Sequence, residues 1–331
     1  MRNFFHSYWK VILALVLVIL LAVFTFSPGP ASATQALAER LERHVGAIAS
    51  QEHNTRTPRS LESAAVYIEK TLAEAGYRST RQEYAAGGGR VHNIEASIGN
   101  VAPGPRPERI FIVGAHYDSA LGAPGANDHG SGTAAVLELA RLLHTMRPSA
   151  GTEVRFVFFV NEEPPWFMDE QMGSMVHPPE MKRQQQNVEG TLVPETMGYY
   201  TDTPDSRQLP AGLEARYPDT GNFIAFVGTL ESSKLVREAL AAFRAASDFP
   251  AEGLAAPAHT TGVTLSDHSS YIRHGYPALM ITESAFMRYP YYQTNKDKAE
   301  DTPDKLDYES MARVVTGLEK TIRALAGAAR G

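Results

Sequence analysis

The sequence predicts a single α/β domain with a mixed, mostly parallel central sheet flanked by helices. Segments with strand character alternate with helical segments from residue 34 onward, which is the order typical of α/β folds. Two runs, 110–113 and 154–160, are short, apolar except at Arg155, and rich in β-branched and aromatic residues, as strands buried on both faces are. Polar residues follow both runs, at the edge where open α/β sheets place their ligands.

The individual elements follow from hydrophobic periodicity and turn residues. Helical spacing is present in two segments between residues 34 and 76 and in 131–146, 232–246 and 308–326, and a short helix is expected within 168–186. Short apolar runs predict strands at 77–84, 91–98, 110–113, 154–160, 223–227 and 276–281. Three glycines at 87–89 predict a hairpin turn between the first two strands. The segment 190–200 also resembles a strand, but Pro194 predicts an edge strand or a bend, because proline cannot donate to a ladder.

The N-terminal segment is expected to direct export. Arg2 and Lys10 precede an apolar run over 11–26, and a small-residue segment, 31–33, follows as a cleavage site. The length of the run lies between that of a signal peptide and that of a membrane span. We therefore predict that residues 1–33 are a signal peptide or an N-terminal membrane anchor. Residues 34–331 then form the α/β domain, in the periplasm or outside the cell.

Composition excludes several classes of protein. The chain has 31 basic and 37 acidic residues and a net charge of −6, and it has no basic run, so a nucleic-acid partner is not expected. Cysteine is absent, which excludes disulfides, thiolate nucleophiles and cysteine-based metal sites. Any bound metal ion must therefore be held by histidine and carboxylate groups.

A first set of candidate ligands follows the strand at 110–113. His116 and Asp118 lie at its carboxyl end, and a Gly/Pro/Asn loop then presents Asp128. Imidazole with carboxylate suits zinc better than calcium or magnesium. Asp118 lies two residues from His116, on the same side of an extended chain, and is expected to hold the second ring N–H. A lone His-x-Asp also occurs in ordinary polar turns, so a metal site depends on further ligands elsewhere.

Two adjacent glutamates, Glu162 and Glu163, follow the second buried strand. Neighbouring residues in a strand or tight turn point to different sides, so one carboxylate can bind a metal ion while the other faces the substrate. Adjacent glutamates on a protein surface are common and usually have no such role. The apolar run before this pair indicates that it lies at the edge of a cleft.

Seven short motifs occur in a fixed order: GAHYDS, GANDHGSG, NEE, ETMGYY, SDHSSY, GYPALMIT and DTPDKLDYE. Together they resemble the co-catalytic zinc aminopeptidase family, peptidase family twenty-eight, whose relatives include glutamate carboxypeptidase and glutaminyl cyclase. The resemblance covers about residues 41–325 and implies a zinc-exopeptidase-like fold.

The resemblance implies two zinc ions and a role for each ligand. Asp128 would bridge the ions, His116 and Glu195 would complete one zinc site, and Glu163 would bind the other zinc. Glu162 would be the general base that takes a proton from a metal-activated water. The resemblance also implies a cis peptide bond after Asp128.

Two positions depart from the family pattern. Gln293 stands where the family has its last histidine ligand, and a neutral glutamine oxygen binds zinc less well than imidazole, so the second site is predicted to be weak or empty. His259, His268 and His274 are the candidates to replace the missing ligand. His129 stands where the family usually has Asp or Asn, and is interpreted as a surface substitution. A replacement ligand and a ring that crowds the cleft are the alternatives.

The function that these residues favour is that of an exported zinc-dependent exopeptidase, an aminopeptidase acting on a peptide substrate. Asp267 and His268 are assigned to the substrate pocket as support for the cleft. Two alternatives stay open. Gln293 is compatible with a degenerate member that serves as a binding domain, although retention of the other ligands argues against it. The second alternative is an acyl transfer of the glutaminyl-cyclase type at a single zinc ion. Such relatives bind that ion at the site whose histidine is replaced here by Gln293.

Overall fold

Eight strands form one mixed, mostly parallel sheet in the computed structural model, which describes residues 30–204, 206, 217–294 and 300–327. The strands are β1 Thr80–Ala86, β2 Gly89–Gly99, β3 Arg109–His116, β4 Thr152–Phe159, β5 Val188–Pro194, β6 Ile224–Thr229, β7 Ala251–Ala256 and β8 Ala278–Thr282. Their order across the sheet is β1-β2-β4-β3-β5-β8-β6-β7. The four central strands β4, β3, β5 and β8 are parallel, so their carboxyl ends meet at one edge of the sheet.

Helices cover both faces of this sheet. In the described part of the chain they are α1 Pro30–Ile48, α2 Pro58–Glu74, α3 Gly132–Leu143, α4 Gly173–Arg183, α5 Ser233–Ala246, α6 His268–Arg273 and α7 Tyr308–Leu325. The larger core packs α1, α2, α3, α5 and α7 against one face, and α4 and α6 pack against the other. None of the helices in the described ranges has the length and apolar character of a bilayer span.

The two cores follow from the alternation of side chains along β3. Phe111 and Val113 face the larger core, whereas Ile110 and Ile112 pack with Met181 of α4 in the smaller one. Successive side chains of a strand point to opposite faces, and a strand covered on both faces is therefore apolar throughout. The sequence prediction of buried central strands at β3 and β4 is confirmed.

Most predicted elements are present, with one correction and two omissions. Segment 190–200 was expected to be an edge strand or a bend, but β5 lies between β3 and β8 inside the sheet. Pro194 is the last residue of β5, so its missing N–H falls where the ladder ends, and the chain then bends. Strand β7 and helix α6 were not predicted from the sequence. Of the predicted export segment, residues 1–29 lie outside the described residues, and 30–33 belong to α1.

Candidate metal centre

His116, at the end of β3, lies at the centre of a buried cluster of carboxylates. Its Nε2 atom is 3.6 Å from Asp128 Oδ1, 3.7 Å from Glu162 Oε2 and 4.0 Å from Glu195 Oε1. Glu162 follows β4 and Glu195 follows β5, so the parallel arrangement of the three strands brings these side chains together. All four residues are buried.

Asp118 orients both the histidine and the two glutamates that follow β4. The Nδ1 atom of His116 is 3.1 Å from the main-chain oxygen of Asp118 and 3.4 Å from its Oδ1. The Asp118 carboxylate accepts hydrogen bonds from the backbone N–H groups of Glu162, at 3.0 Å, and Glu163, at 3.2 Å. The sequence predicts that Asp118 supports His116. In the structure its main-chain oxygen is the nearer partner of the ring, and its carboxylate fixes the glutamate segment.

The loop that carries Asp128 is held by another buried carboxylate, Asp301. Asp301 accepts hydrogen bonds from the backbone N–H groups of Asn127 and Asp128, at 2.9 to 3.1 Å, and from the Tyr289 hydroxyl, at 2.7 Å. The peptide bond between Asp128 and His129 is cis, as the resemblance implies. The sequence analysis gives Asp301 no role at the site, because Asn127 and Asp128 lie more than 170 residues from it.

Glu195 and the residues assigned to the substrate pocket meet in one loop. The Ser266 hydroxyl donates to Glu195 Oε2. Asp267 is fully buried, and burial raises its pKa to about 6, although His116 opposes the rise. The Nε2 atom of His268 lies 2.7 Å from the Val263 carbonyl oxygen. Asp267 and His268 therefore lie buried where the chain enters α6, which is compatible with support of a cleft wall.

The carboxylates are held in an environment that disfavours their full ionisation. Burial raises the pKa of Glu195 to about 8 and that of Glu162 well above its ordinary value, although His116 opposes both rises. Burial, and then the charge of Asp128, raises the pKa of Glu163. Burial alone lowers the pKa of His116, but the surrounding carboxylates outweigh it and raise that pKa well above its ordinary value. A bound cation would remove this repulsion, since it favours the ionised carboxylates.

Gln293 lies at the position predicted for the second metal site. Its amide Nε2 donates to Asp128 Oδ2, at 3.2 Å, and to Glu163 Oε2, at 3.0 Å. These are the two carboxylates that the resemblance assigns to the second zinc ion. The amide therefore joins them with N–H groups, and an amide nitrogen has no lone pair to offer a metal ion.

His129 is buried beside His116, and its interpretation as a surface substitution is wrong. Only 1 % of the residue is exposed, and the centroids of the two imidazole rings are 4.1 Å apart. The Nε2 atom of His129 is 3.8 Å from Glu195 Oε2. The sequence pattern alone did not indicate that this ring is buried.

The donor set fits a zinc ion. His116, Asp128, His129 and Glu195 each offer one ligand atom, and the four atoms lie within 4.8 Å of one another. Among the described residues, His116 Nε2 and both ring nitrogens of His129 have no hydrogen-bond partner of normal geometry. Buried polar atoms are rarely left in this state, and nitrogen with carboxylate oxygen is a donor set that zinc accepts.

The histidines considered as replacements for the missing ligand are not part of this cluster. His259 is exposed, and His268 and His274 make contacts with main-chain carbonyl groups of their own segments. The structure brings together His116, Asp118, Asp128, Glu162, Glu163, Glu195 and Gln293 as predicted. The sequence analysis assigned no role to Ser266 and Asp301, although each is the first residue of one of the seven motifs, SDHSSY and DTPDKLDYE.

The sheet and this cluster place the chain in the class of α/β proteins that carry a metal-ligand set at the carboxyl edge of parallel strands. Residues 93–321 match the family model described as Peptidase family M28. The chain belongs to peptidase family M28.

Two relatives show the range of similarity in sequence. The chain is 37% identical over 304 residues to the uncharacterized protein YfbL of Escherichia coli strain K12, with 87% of this chain and 88% of that protein covered. It is 28% identical over 259 residues to leucine aminopeptidase 1 of Ajellomyces capsulatus strain NAm1 / WU24. That match covers 72% of this chain but only 60% of the aminopeptidase.

Solved structures are similar in fold at lower sequence identity. The aminopeptidase from Aneurinibacillus sp. strain AM-1 matches with a TM-score of 0.64 and 16% identity, covering 90% of this chain and 96% of that one. A glutaminyl cyclase from Bacteroides thetaiotaomicron matches with a TM-score of 0.62 and 17% identity, covering 86% and 97%. The chain is therefore similar in fold to proteins of two different activities.

Proposed function

We propose that the chain is a zinc-dependent exopeptidase, an aminopeptidase in which Glu162 is the general base. The position of Glu162 carries the proposal. Its carboxylate is buried 3.7 Å from His116 Nε2, and its backbone N–H is fixed by Asp118. Burial raises the pKa of Glu162 above its ordinary value, which is the direction expected for a carboxylate that accepts a proton and later returns it.

The roles of the surrounding residues follow from their contacts. A zinc ion held by His116, Asp128 and Glu195 would supply Lewis-acid activation of a water molecule and of the scissile carbonyl. Glu162 then accepts the proton of the attacking water and delivers it to the leaving amine. Asp118 keeps Glu162 in position for both transfers through its hydrogen bond to the backbone.

An apolar cavity that reaches Thr282, at the end of β8, is the candidate pocket for the N-terminal side chain. It is lined mainly by apolar side chains of β6, β8 and the following turn, including Val227, Met280 and Phe286. Thr282 also lines it, and its hydroxyl is 3.0 Å from that of Thr196, the residue after Glu195. An apolar N-terminal residue is therefore the substrate class that this cavity favours.

The substitution Glu162→Gln tests the proposal. It keeps the size of the side chain but removes the base, so kcat for a leucine anilide should fall by roughly 10² to 10⁴ while zinc content is unchanged. Glu170→Gln, an exposed change in the same loop, is the matched control and should leave kcat unaltered. N-terminal acetylation of the substrate should abolish hydrolysis, as expected for an aminopeptidase. Failure of the zinc-saturated native chain to hydrolyse any aminoacyl substrate would contradict the proposal.

The two alternatives give different results in the same experiments. A binding domain retains zinc but hydrolyses no peptide, and the amide bridge of Gln293 between two expected ligands is the observation that supports it. An acyltransferase of the glutaminyl-cyclase type converts an N-terminal glutamine peptide to a pyroglutamyl peptide with loss of ammonia.

We also propose that residues 1–33 direct export. The basic N-terminus, the apolar run and the small residues at 31–33 support this. N-terminal sequencing of the protein from a cell envelope fraction distinguishes a cleaved signal, which leaves a chain beginning at Thr34, from a retained anchor. Recovery of the intact chain from the cytosol alone would contradict export.

A further inference from the structure

We propose that this chain binds one zinc ion through His116, Asp128, His129 and Glu195, and that the amide of Gln293 replaces the second ion. The inference concerns the site of the proposed function, but it rests on metal binding alone. Zinc content and ligand identity are measured without substrate, so its failure is distinguishable from a failure of the peptidase proposal.

The position of His129 is the first support. Its ring is buried against His116, and the four candidate donor atoms lie within 4.8 Å of one another. Neighbouring ligand atoms around a tetrahedral zinc ion, at about 2.0–2.2 Å from the metal, are about 3.4 Å apart. Three contacts among these residues measure 3.6 Å, 3.8 Å and 4.0 Å, the last two to different oxygens of Glu195. One donor atom from each residue lies within 4.8 Å of the others, so zinc binding would draw the donors closer together.

The lack of other partners for His129 is the second support. Within the described residues, neither ring nitrogen makes a hydrogen bond of normal geometry. A buried polar group without a partner destabilises the folded protein. The backbone at Asn127 and Pro194 is near the ring but offers it no hydrogen bond of normal geometry, so a metal ion would give the ring a well-oriented partner.

The residue that makes room for the ring is Gly132. A Cβ atom at this position would lie 1.7 Å from His129 Cε1 and 2.4 Å from its Nε2. The backbone of Gly132 is helical, with φ of −67°, so glycine is not required there by the backbone conformation. Its absent side chain instead leaves the space that the imidazole fills.

The hydrogen bonds of Gln293 account for the second position. In a two-zinc site the cation itself joins Asp128 to Glu163. Here one amide nitrogen donates to both carboxylates at 3.2 and 3.0 Å. A cation in that place would have to displace these hydrogen bonds and turn the amide to present its oxygen. Asp128 is thus left to bind one metal ion through its other oxygen, Oδ1, which lies nearest to His116.

The ligand count is tested by X-ray absorption spectroscopy of the zinc-loaded native chain after dialysis. We expect one zinc ion per chain, with two imidazole ligands. His129→Asn, which introduces a residue usual for the family, should leave one imidazole and raise the zinc dissociation constant at least about tenfold, since loss of even an outer partner of a ligand costs 10–100-fold. The matched control is His92→Asn, a buried histidine with an unpartnered Nε2 against Tyr117, outside the cluster, which should change neither value.

Gln293→His tests the second position and should raise the stoichiometry to two zinc ions per chain. Two zinc ions in the native chain would overturn the inference, as would a single imidazole ligand in its spectrum. If His129→Asn does not fold, the native spectrum and the Gln293→His stoichiometry still decide the question.

Discussion

Replacing Asp118 with asparagine should destabilise the zinc-bound protein by about 2–4 kcal/mol. The Asp118 carboxylate accepts two backbone N–H groups, from Glu162 and Glu163, and is 2 % exposed. Asparagine retains one acceptor oxygen, but its NH₂ group would face the other N–H. The change therefore loses one hydrogen bond to a charged group, worth about 1.5–3 kcal/mol, and leaves a buried donor unpaired at about 1–3 kcal/mol. Because both contributions describe the same lost contact, they do not add in full, and the expected total is about 2–4 kcal/mol.

The metal-free protein should be affected less by the same change. There Asp118 adds negative charge to a cluster whose carboxylates already repel one another, and it raises the pKa of Glu163 after burial and Asp128 have done so. Removing its charge relieves part of that repulsion and offsets the lost hydrogen bond. The difference between the two forms separates the hydrogen-bond contribution from the electrostatic one.

Urea unfolding with excess zinc and with a chelator measures the stability change in the zinc-bound and metal-free forms. The kcat/KM of Asp118→Asn should fall about 10–100-fold in parallel. Asp169→Asn is the matched control, because this exposed aspartate also accepts a backbone N–H, from Gln171 at 2.9 Å. It should change stability by less than about 0.5 kcal/mol. An Asp118→Asn protein that matches this control in zinc-bound stability and in kcat/KM would refute the reasoning.

Three further predictions follow from the site. Between about pH 4.5 and 8 the metal-free protein should lose stability as pH rises, because burial raises the pKa of Glu195 from 4.5 in the unfolded chain to about 8 in the folded one. Zinc should cancel the loss, and thermal unfolding with and without a chelator checks this. Gly132→Ala should weaken zinc binding in a chelator competition by displacing the ring of His129, whereas Gly46→Ala, which meets nothing within 4 Å, should not. Leucine anilides should be hydrolysed about 10–100-fold more efficiently than aspartate anilides, since burying an apolar side chain contributes about 1.5–3 kcal/mol, and equal kcat/KM values would contradict the assignment of the cavity.

The strands that carry the ligands could be predicted because their signals are local. The apolar runs of β3 and β4 define buried strands by composition, and His116, Glu162 and Glu163 follow directly after them. The order of motifs along the chain was sufficient to indicate the family, which the match over residues 93–321 confirms. The predicted edge position of β5 is wrong. The prediction places Pro194 inside the strand, whereas Pro194 is the last residue of the strand.

The sequence by itself determined which residue types are available to bind a metal ion, since without cysteine only histidine and carboxylates remain. Only the tertiary structure decided how these residues are used. Asp301 holds the Asp128 loop from more than 170 residues away, and Gln293 meets Glu163 across 130 residues. Such partners depend on the order of strands in the sheet, which local periodicity does not encode. For the same reason His129, which is adjacent to Asp128 in sequence, was identified as a buried neighbour of His116 only by the fold.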